Sequence, residues 1–163
     1  MQIGDFKGFF LSILRLLKSK IPPFLRYWAD IPSLTLQPGP KEKNLYGFLG
    51  QNICIYSCVR ATNDGGQSAR IQRAVLYCNK NGKNNLFEHK FLIVSDGRVV
   101  VEDIPKNTTR DVISIFHLPS EYISHEGSFQ ANLLELIDQF GVRYSLKKPI
   151  FYYVPRDFSY PQF

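Results

Sequence analysis

Residues 5–21, DFKGFFLSILRLLKSKI, place Phe6, Phe9, Phe10, Ile13, Leu14, Leu17 and Ile21 at helical spacing, with Lys7, Ser12, Arg15, Lys18 and Ser19 largely elsewhere. The pattern predicts a basic amphipathic helix. Pro22 and Pro23 end it, because proline lacks the amide donor and clashes with the preceding turn. The chain then carries Pro32, Pro38, Gly39 and Pro40, so residues 31–50 read as a Pro/Gly connector with a short strand at 33–37.

From Asn52 onward the pattern changes to β-branched and aromatic runs separated by turn signals. Asn63-Asp64-Gly65-Gly66, Asn81-Gly82 and Asp96-Gly97 supply residues tolerant of positive φ between candidate strands at 52–61, 69–79, 86–95 and 98–103. These four read as an antiparallel meander, and a fifth strand at 112–117 follows a polar loop. Ser128 is placed to cap a helix with Phe129, Leu133, Leu136, Ile137 and Phe140 on one apolar face, closed by Gly141. The tail, IFYYVPRDFSYPQF, is extended and aromatic. The expected fold class is therefore α+β: a meander of four to five strands with an N-terminal amphipathic helix and a C-terminal helix. The expected organisation is a helical arm at 1–30, the connector at 31–50 and a single α+β domain at 51–163.

Composition agrees with a globular chain. With 163 residues, 44% hydrophobic and 14% aromatic, it lies far from the signature of disorder, and a core of this size buries roughly 70% of the unfolded surface. The longest apolar run, residues 9–17, is broken by Ser12 and Arg15, so no spanning helix is expected. The net charge of +6 is unevenly spread: residues 1–30 hold five Lys/Arg against two Asp, and residues 141–163 hold four against one. Two basic ends favour an acidic partner such as a phospholipid surface, a nucleic acid or a phosphorylated peptide, or they serve solubility alone.

Three cysteines, Cys54, Cys58 and Cys78, are an odd number in a chain without a recognisable secretory signal, which points to a reducing, cytoplasmic setting. Together with His89, His117 or His125 they suggest a zinc site. Yet on a strand Cys54 and Cys58 stand about 13 Å apart, too far to share one ion, and they read better as core residues. A Cys–His hydrolase needs thiolate and imidazole side by side. No GxSxG, GxxxxGK[ST], GxGxxG or HExxH motif is present. The sequence thus assigns no catalytic residue, no metal and no cofactor.

Arg60 lies in Cys58-Val59-Arg60-Ala61-Thr62, at the end of an apolar strand and beside a hydroxyl. A guanidinium held by a strand can clamp a phosphate with two parallel hydrogen bonds, assisted by Thr62, or it can simply stand in water. The run from Val59 to Thr62, then His89-Lys90-Phe91-Leu92-Ile93, Asp96-Gly97-Arg98-Val99-Val100-Val101 and Leu133-x-Glu135-Leu136-Ile137-x-x-Phe140 resembles a divergent Src-homology phosphotyrosine-binding domain over residues 52–148. That resemblance implies a phosphate on Arg60, with His89 lining the pocket.

The expected function is a non-catalytic binding or adaptor module for an acidic or phosphorylated partner, a protein or phosphopeptide. One alternative is a membrane-apposed structural or assembly protein, viral matrix-like and homo-oligomeric, in which Phe9 and Leu17 enter an anionic surface flanked by Lys7, Arg15, Lys18 and Lys20. For the same arm, docking of the apolar stripe on the sheet or on another subunit is the reading preferred over the membrane, because a sheet with one uncovered face needs a cover. A second alternative is nucleic-acid binding, with Tyr144, Phe151, Tyr152 and Tyr153 as stacking surfaces.

Overall fold

The computed structural model describes residues 31–88, 91–93, 103–123 and 127–155. The arm expected at 5–21, with Lys7, Phe9, Arg15, Leu17, Lys18 and Lys20, lies outside the described residues, as do His89, His125, the Asp96-Gly97 turn and most of the strand expected at 98–103.

Two long apolar strands organise the chain, β3 (Asn52–Asn63) and β4 (Ala69–Lys80). Each gives one edge to a single antiparallel partner and divides the other between two shorter strands. β3 pairs β8 (Thr109–Pro119) from Asn52↔Pro119 to Thr62↔Thr109, and its opposite edge takes β2 (Leu45–Leu49) and β1 (Leu34–Pro38). β4 pairs β10 (Leu133–Asp138), and its opposite edge takes β5 (Lys83–Glu88) and β7 (Asp103–Ile104). β6 (Phe91–Ile93) lies outside β8, and β11 (Arg143–Lys147) lies outside β10. β12 (Ile150–Tyr153) runs parallel to β2 and carries β9 (Ser128–Gln130) on its far edge. The result is a seven-stranded and a five-stranded sheet.

Between the sheets sits the main core. Ile53, Ile55, Val59, Phe116 and Leu118 from the larger sheet meet Ile71, Leu76, Leu134 and Leu136 from the smaller one, all buried. Each such side chain contributes about 1.5–3 kcal/mol relative to leaving it in water.

This architecture corrects the expected α+β class: among the described residues there are strands and two single 3-10 turns, arranged as two sheets. Residues 128–140 are not a helix but β9, a short turn and β10. The Phe129/Leu133/Leu136/Ile137/Phe140 spacing fits a helical stripe, but Leu134 is also fully buried, and the whole run 134–138 is buried on both faces of a central strand. Gly141, at φ 71°, turns the β10–β11 hairpin rather than closing a helix.

The meander is corrected as well. Asn81 and Gly82, at φ 53° and 76°, do turn β4 into β5. Asn63-Asp64-Gly65-Gly66 instead passes from one sheet to the other, with the amides of Asp64 and Gly66 donating to the carbonyls of Ser33 and Ile31. Residues 31–50, expected as a connector, supply β1 and β2.

Candidate functional site

β3 alternates its side chains across the larger sheet. Ile53, Ile55, Val59 and Ala61 enter the core between the sheets, whereas Cys54, Tyr56, Cys58, Arg60 and Thr62 share the outer face. Moving along that face from Tyr56 toward Thr62, burial gives way to exposure at Arg60.

The exposed end is charged. The Arg60 Nε donates to Asp111 Oδ1 at 3.2 Å, the cross-strand neighbour that the β3–β8 register places opposite it. Lys43, from the short turn between β1 and β2, puts its Nζ 3.8 Å from the other Asp111 oxygen. One row further the Thr62 and Thr109 hydroxyls meet at 2.9 Å. Two cations therefore converge on one carboxylate, beside a hydroxyl pair. The two Nη groups of Arg60 hold no hydrogen bond to another described residue. Half-exposed ion pairs of this kind contribute about 0–1 kcal/mol, so a stronger anion can compete with Asp111.

A crossover next to Cys58 fixes the position of Lys43. Between β2 and β1 the edge of β3 is completed by two non-ladder bonds: the Gly39 amide donates to the Cys58 carbonyl, and the Cys58 amide donates to Asn44 Oδ1, both at 3.0 Å. The Asn44 Nδ2 in turn donates to the carbonyls of Pro40 and Gly39. Position 39 requires glycine, because a Cβ there would stand 2.6 Å from Cys58 Sγ.

The structure separates the cysteines. Cys54 and Cys58 lie on the outer face of the larger sheet, and Cys78 lies in the core between the sheets. Among the described residues no three of His, Cys, Asp and Glu gather as a metal site. Cys54 does face His117 across the β3–β8 register. Burial pushes the Cys58 and Cys78 thiols up from 9.0 to about 12, with Asp111 adding to the shift at Cys58, so both stay protonated at neutral pH and neither is an activated nucleophile. Burial also raises the Tyr56 hydroxyl.

Raised values mean that the folded chain holds these protons more tightly than the unfolded one. Their stabilisation is complete below 9.0 and is lost as pH climbs toward about 12. Urea unfolding is expected to show stability falling above pH 9.0, by up to about 1.4 kcal/mol per pH unit for each thiol, with Cys78→Val flattening the fall. A profile level from neutral pH to pH 11 contradicts this.

On the outer face of the smaller sheet a second polar group forms. Glu135 accepts from Tyr77 Oη at 2.9 Å and from Arg143 Nη1 at 3.1 Å, and the Ser145 hydroxyl stands at 3.5 Å. Its members satisfy one another.

Of the residues picked from sequence, Arg60 and Thr62 are adjacent on one exposed face. Lys43, Asp111 and Thr109 escaped notice because they lie far away along the chain, and only the strand register unites them. No protein-family model and no curated protein matches the chain. Solved structures similar to it include a Bordetella pertussis protein described as ApaA, at 17% identity over 77% of this chain and 96% of that one, TM-score 0.38. Another is an uncharacterised β-sandwich protein from Clostridium difficile 630, at 13% identity over 71% of this chain and 80% of that one, TM-score 0.41. Among the described residues no helix is long and apolar enough to cross a membrane.

Proposed function

We propose that this chain is a non-catalytic binding module that takes an acidic or phosphorylated partner at the Arg60–Lys43 cation pair. The observation that carries this reading is the convergence of two cations on the single carboxylate of Asp111, at the exposed end of a paired three-strand platform. An incoming phosphate accepts from the Arg60 Nη groups and from Lys43, while the Thr62–Thr109 hydroxyls offer a further donor. Asp111 acts as a resident anion that holds the guanidinium in place and is displaced or shared on binding.

Calorimetric titration of the full chain with phosphotyrosine, at low ionic strength, tests the reading. Arg60→Ala is expected to weaken binding by roughly 10- to 100-fold, the value of one or two hydrogen bonds to a charged group. Asp111→Asn is expected to tighten it. Absent binding, or binding indifferent to Arg60→Ala, overturns the assignment.

A further inference from the structure

The smaller sheet ends in an open edge. Of the four strands at the ends of the two sheet orders, β6 and β9 are three residues long and β11 lies against β1. β5 runs for six residues, Lys83–Glu88, and among the described residues it pairs on one side only, with β4. The turn at Asn81-Gly82 fixes which of its groups face outward. A two-residue turn closes on a hydrogen-bonded pair, here Lys80↔Lys83, and the ladder alternates from there. Asn85 and Phe87 therefore direct their amides and carbonyls to β4, whereas Asn84, Leu86 and Glu88 direct theirs to the open edge. The Tyr77 carbonyl agrees with this alternation, since it accepts from the Asn132 amide, on the far side of β4 from Leu86.

We propose that β5 pairs antiparallel with β5 of a second copy of this chain, about a two-fold axis at Leu86. Opposed residues of an antiparallel pair share one face of the sheet, and that condition restricts the register. Centring on Leu86 sets Leu86 against the partner's Leu86 and Asn84 against the partner's Glu88. Every outward amide and carbonyl from Asn84 to Glu88 is then used, in about six backbone hydrogen bonds. Centring on Asn85 instead sets Glu88 against Gly82, inside the turn, and loses the outermost bonds.

Side chains complement one another in the same register. Leu133, Tyr77 and Leu86 stand in one row across β10, β4 and β5 on the outer face of the smaller sheet, and the row stops at Leu86, which is 53% exposed. The two-fold continues it into the partner's row, with leucine on leucine at the join. Asn84 Oδ1 is taken by Asn132 Nδ2 at 2.6 Å, which leaves the Asn84 Nδ2 as a donor. Glu88 Oε1 is held by Arg73 Nη1 at 3.3 Å, which leaves Oε2 as an acceptor for the partner's Asn84. The junction extends the smaller sheet alone, so the Arg60–Lys43 cation pair on the larger one stays outside it.

Sedimentation equilibrium of the full chain tests the proposal. An edge of this length buries less than about 1,200 Å² in all, the extent of a weak pair, so the chain is expected to be monomeric at about 1 µM and dimeric at about 200 µM. Leu86→Lys sets like charges face to face at the axis and is expected to weaken association at least about tenfold. Leu49→Lys, at a leucine 57% exposed on the other sheet, is expected to leave it unaltered. Because Leu86 lies at an exposed edge, its replacement should leave the urea midpoint of the monomer unchanged. Leu86→Cys gives an independent reading: oxidised glutathione is expected to link it into a covalent dimer, since the paired Cα atoms stand about 5.5 Å apart, and to leave Leu49→Cys unlinked. A monomer at about 200 µM overturns the proposal. So does a dimer that is indifferent to Leu86→Lys, or one that Leu86→Cys does not link, since either places the contact on another surface.

Discussion

Replacing Asn63 with leucine is expected to cost about 3–5 kcal/mol of unfolding free energy, the largest single-site effect in the sandwich. The side chain is fully buried at the end of β3 and makes four bonds. Its Oδ1 accepts from the amides of Ser33 at 3.3 Å and Gly65 at 3.0 Å, and its Nδ2 donates to the carbonyls of Gln67 at 2.8 Å and Ile104 at 2.9 Å. The Asn63 backbone adds bonds to Thr108 and Asn107. One residue thereby joins the approach to β1, the crossing between the sheets and β7. Leucine keeps the volume but strands two amides and two carbonyls away from water, and each unsatisfied group costs about 1–3 kcal/mol before relaxation. Urea denaturation with an unchanged m-value is the measurement, and a loss under about 1 kcal/mol contradicts the account. Asn63→Asp sharpens it. A carboxylate facing the two carbonyls has its pKa raised by folding, so this variant is expected to regain stability as pH falls and to lose it as pH rises toward neutrality.

The second large effect is expected at Asp138, which has no exposed surface. Its Oδ1 accepts from the amides of Phe140 at 2.8 Å and Val142 at 2.9 Å, and its Oδ2 accepts from the Tyr144 hydroxyl at 2.9 Å. These bonds shape the β10–β11 turn from inside, and the same hydroxyl lies 3.1 Å from the Pro32 carbonyl. Asp138→Ala is expected to cost about 3 kcal/mol, whereas Tyr144→Phe, which removes one donor and leaves the turn intact, costs about 1 kcal/mol. Amide exchange at Tyr144 and Leu146 should accelerate in the first variant and hardly in the second. Equal effects would show that the hydroxyl, not the turn, is what Asp138 serves.

Strand patterning made much of β3, β4 and β8 readable, because their apolar runs are long and bounded by strong turn residues. Asn81-Gly82 was readable for a local reason: both residues adopt positive φ. The 128–140 segment was misread because a short apolar run satisfies the helical and the doubly buried strand patterns alike. What decides between them is pairing with β4 and β11, whose partner residues lie as far along the chain from Asp138 as Ile71 on one side and Lys147 on the other. The sheet change after Asn63 was hidden for a similar reason, since a Gly-rich turn looks the same whether it folds a hairpin or crosses between layers. At the candidate site Arg60 stood out through the alternation of β3. Its counter-ion could not, because Asp111 is 51 residues away and carries no local mark.

The parallel pairing of β12 with β2 has a consequence for the order in which the chain can be assembled. During synthesis β2 emerges early and pairs with β3 at once, but its other edge stays open until Ile150–Tyr153 has been made. β9, made about twenty residues before, has no partner other than β12 among the described strands and must wait for it. An open strand edge is a template for foreign strands. Through most of translation the nascent chain therefore presents the outer edge of β2 at Leu45–Tyr46 open, although its inner edge is already paired with β3. The outer edge is closed by the arrival of a four-residue strand, with the Tyr152 amide on the Asn44 carbonyl and the Val154 amide on the Tyr46 carbonyl.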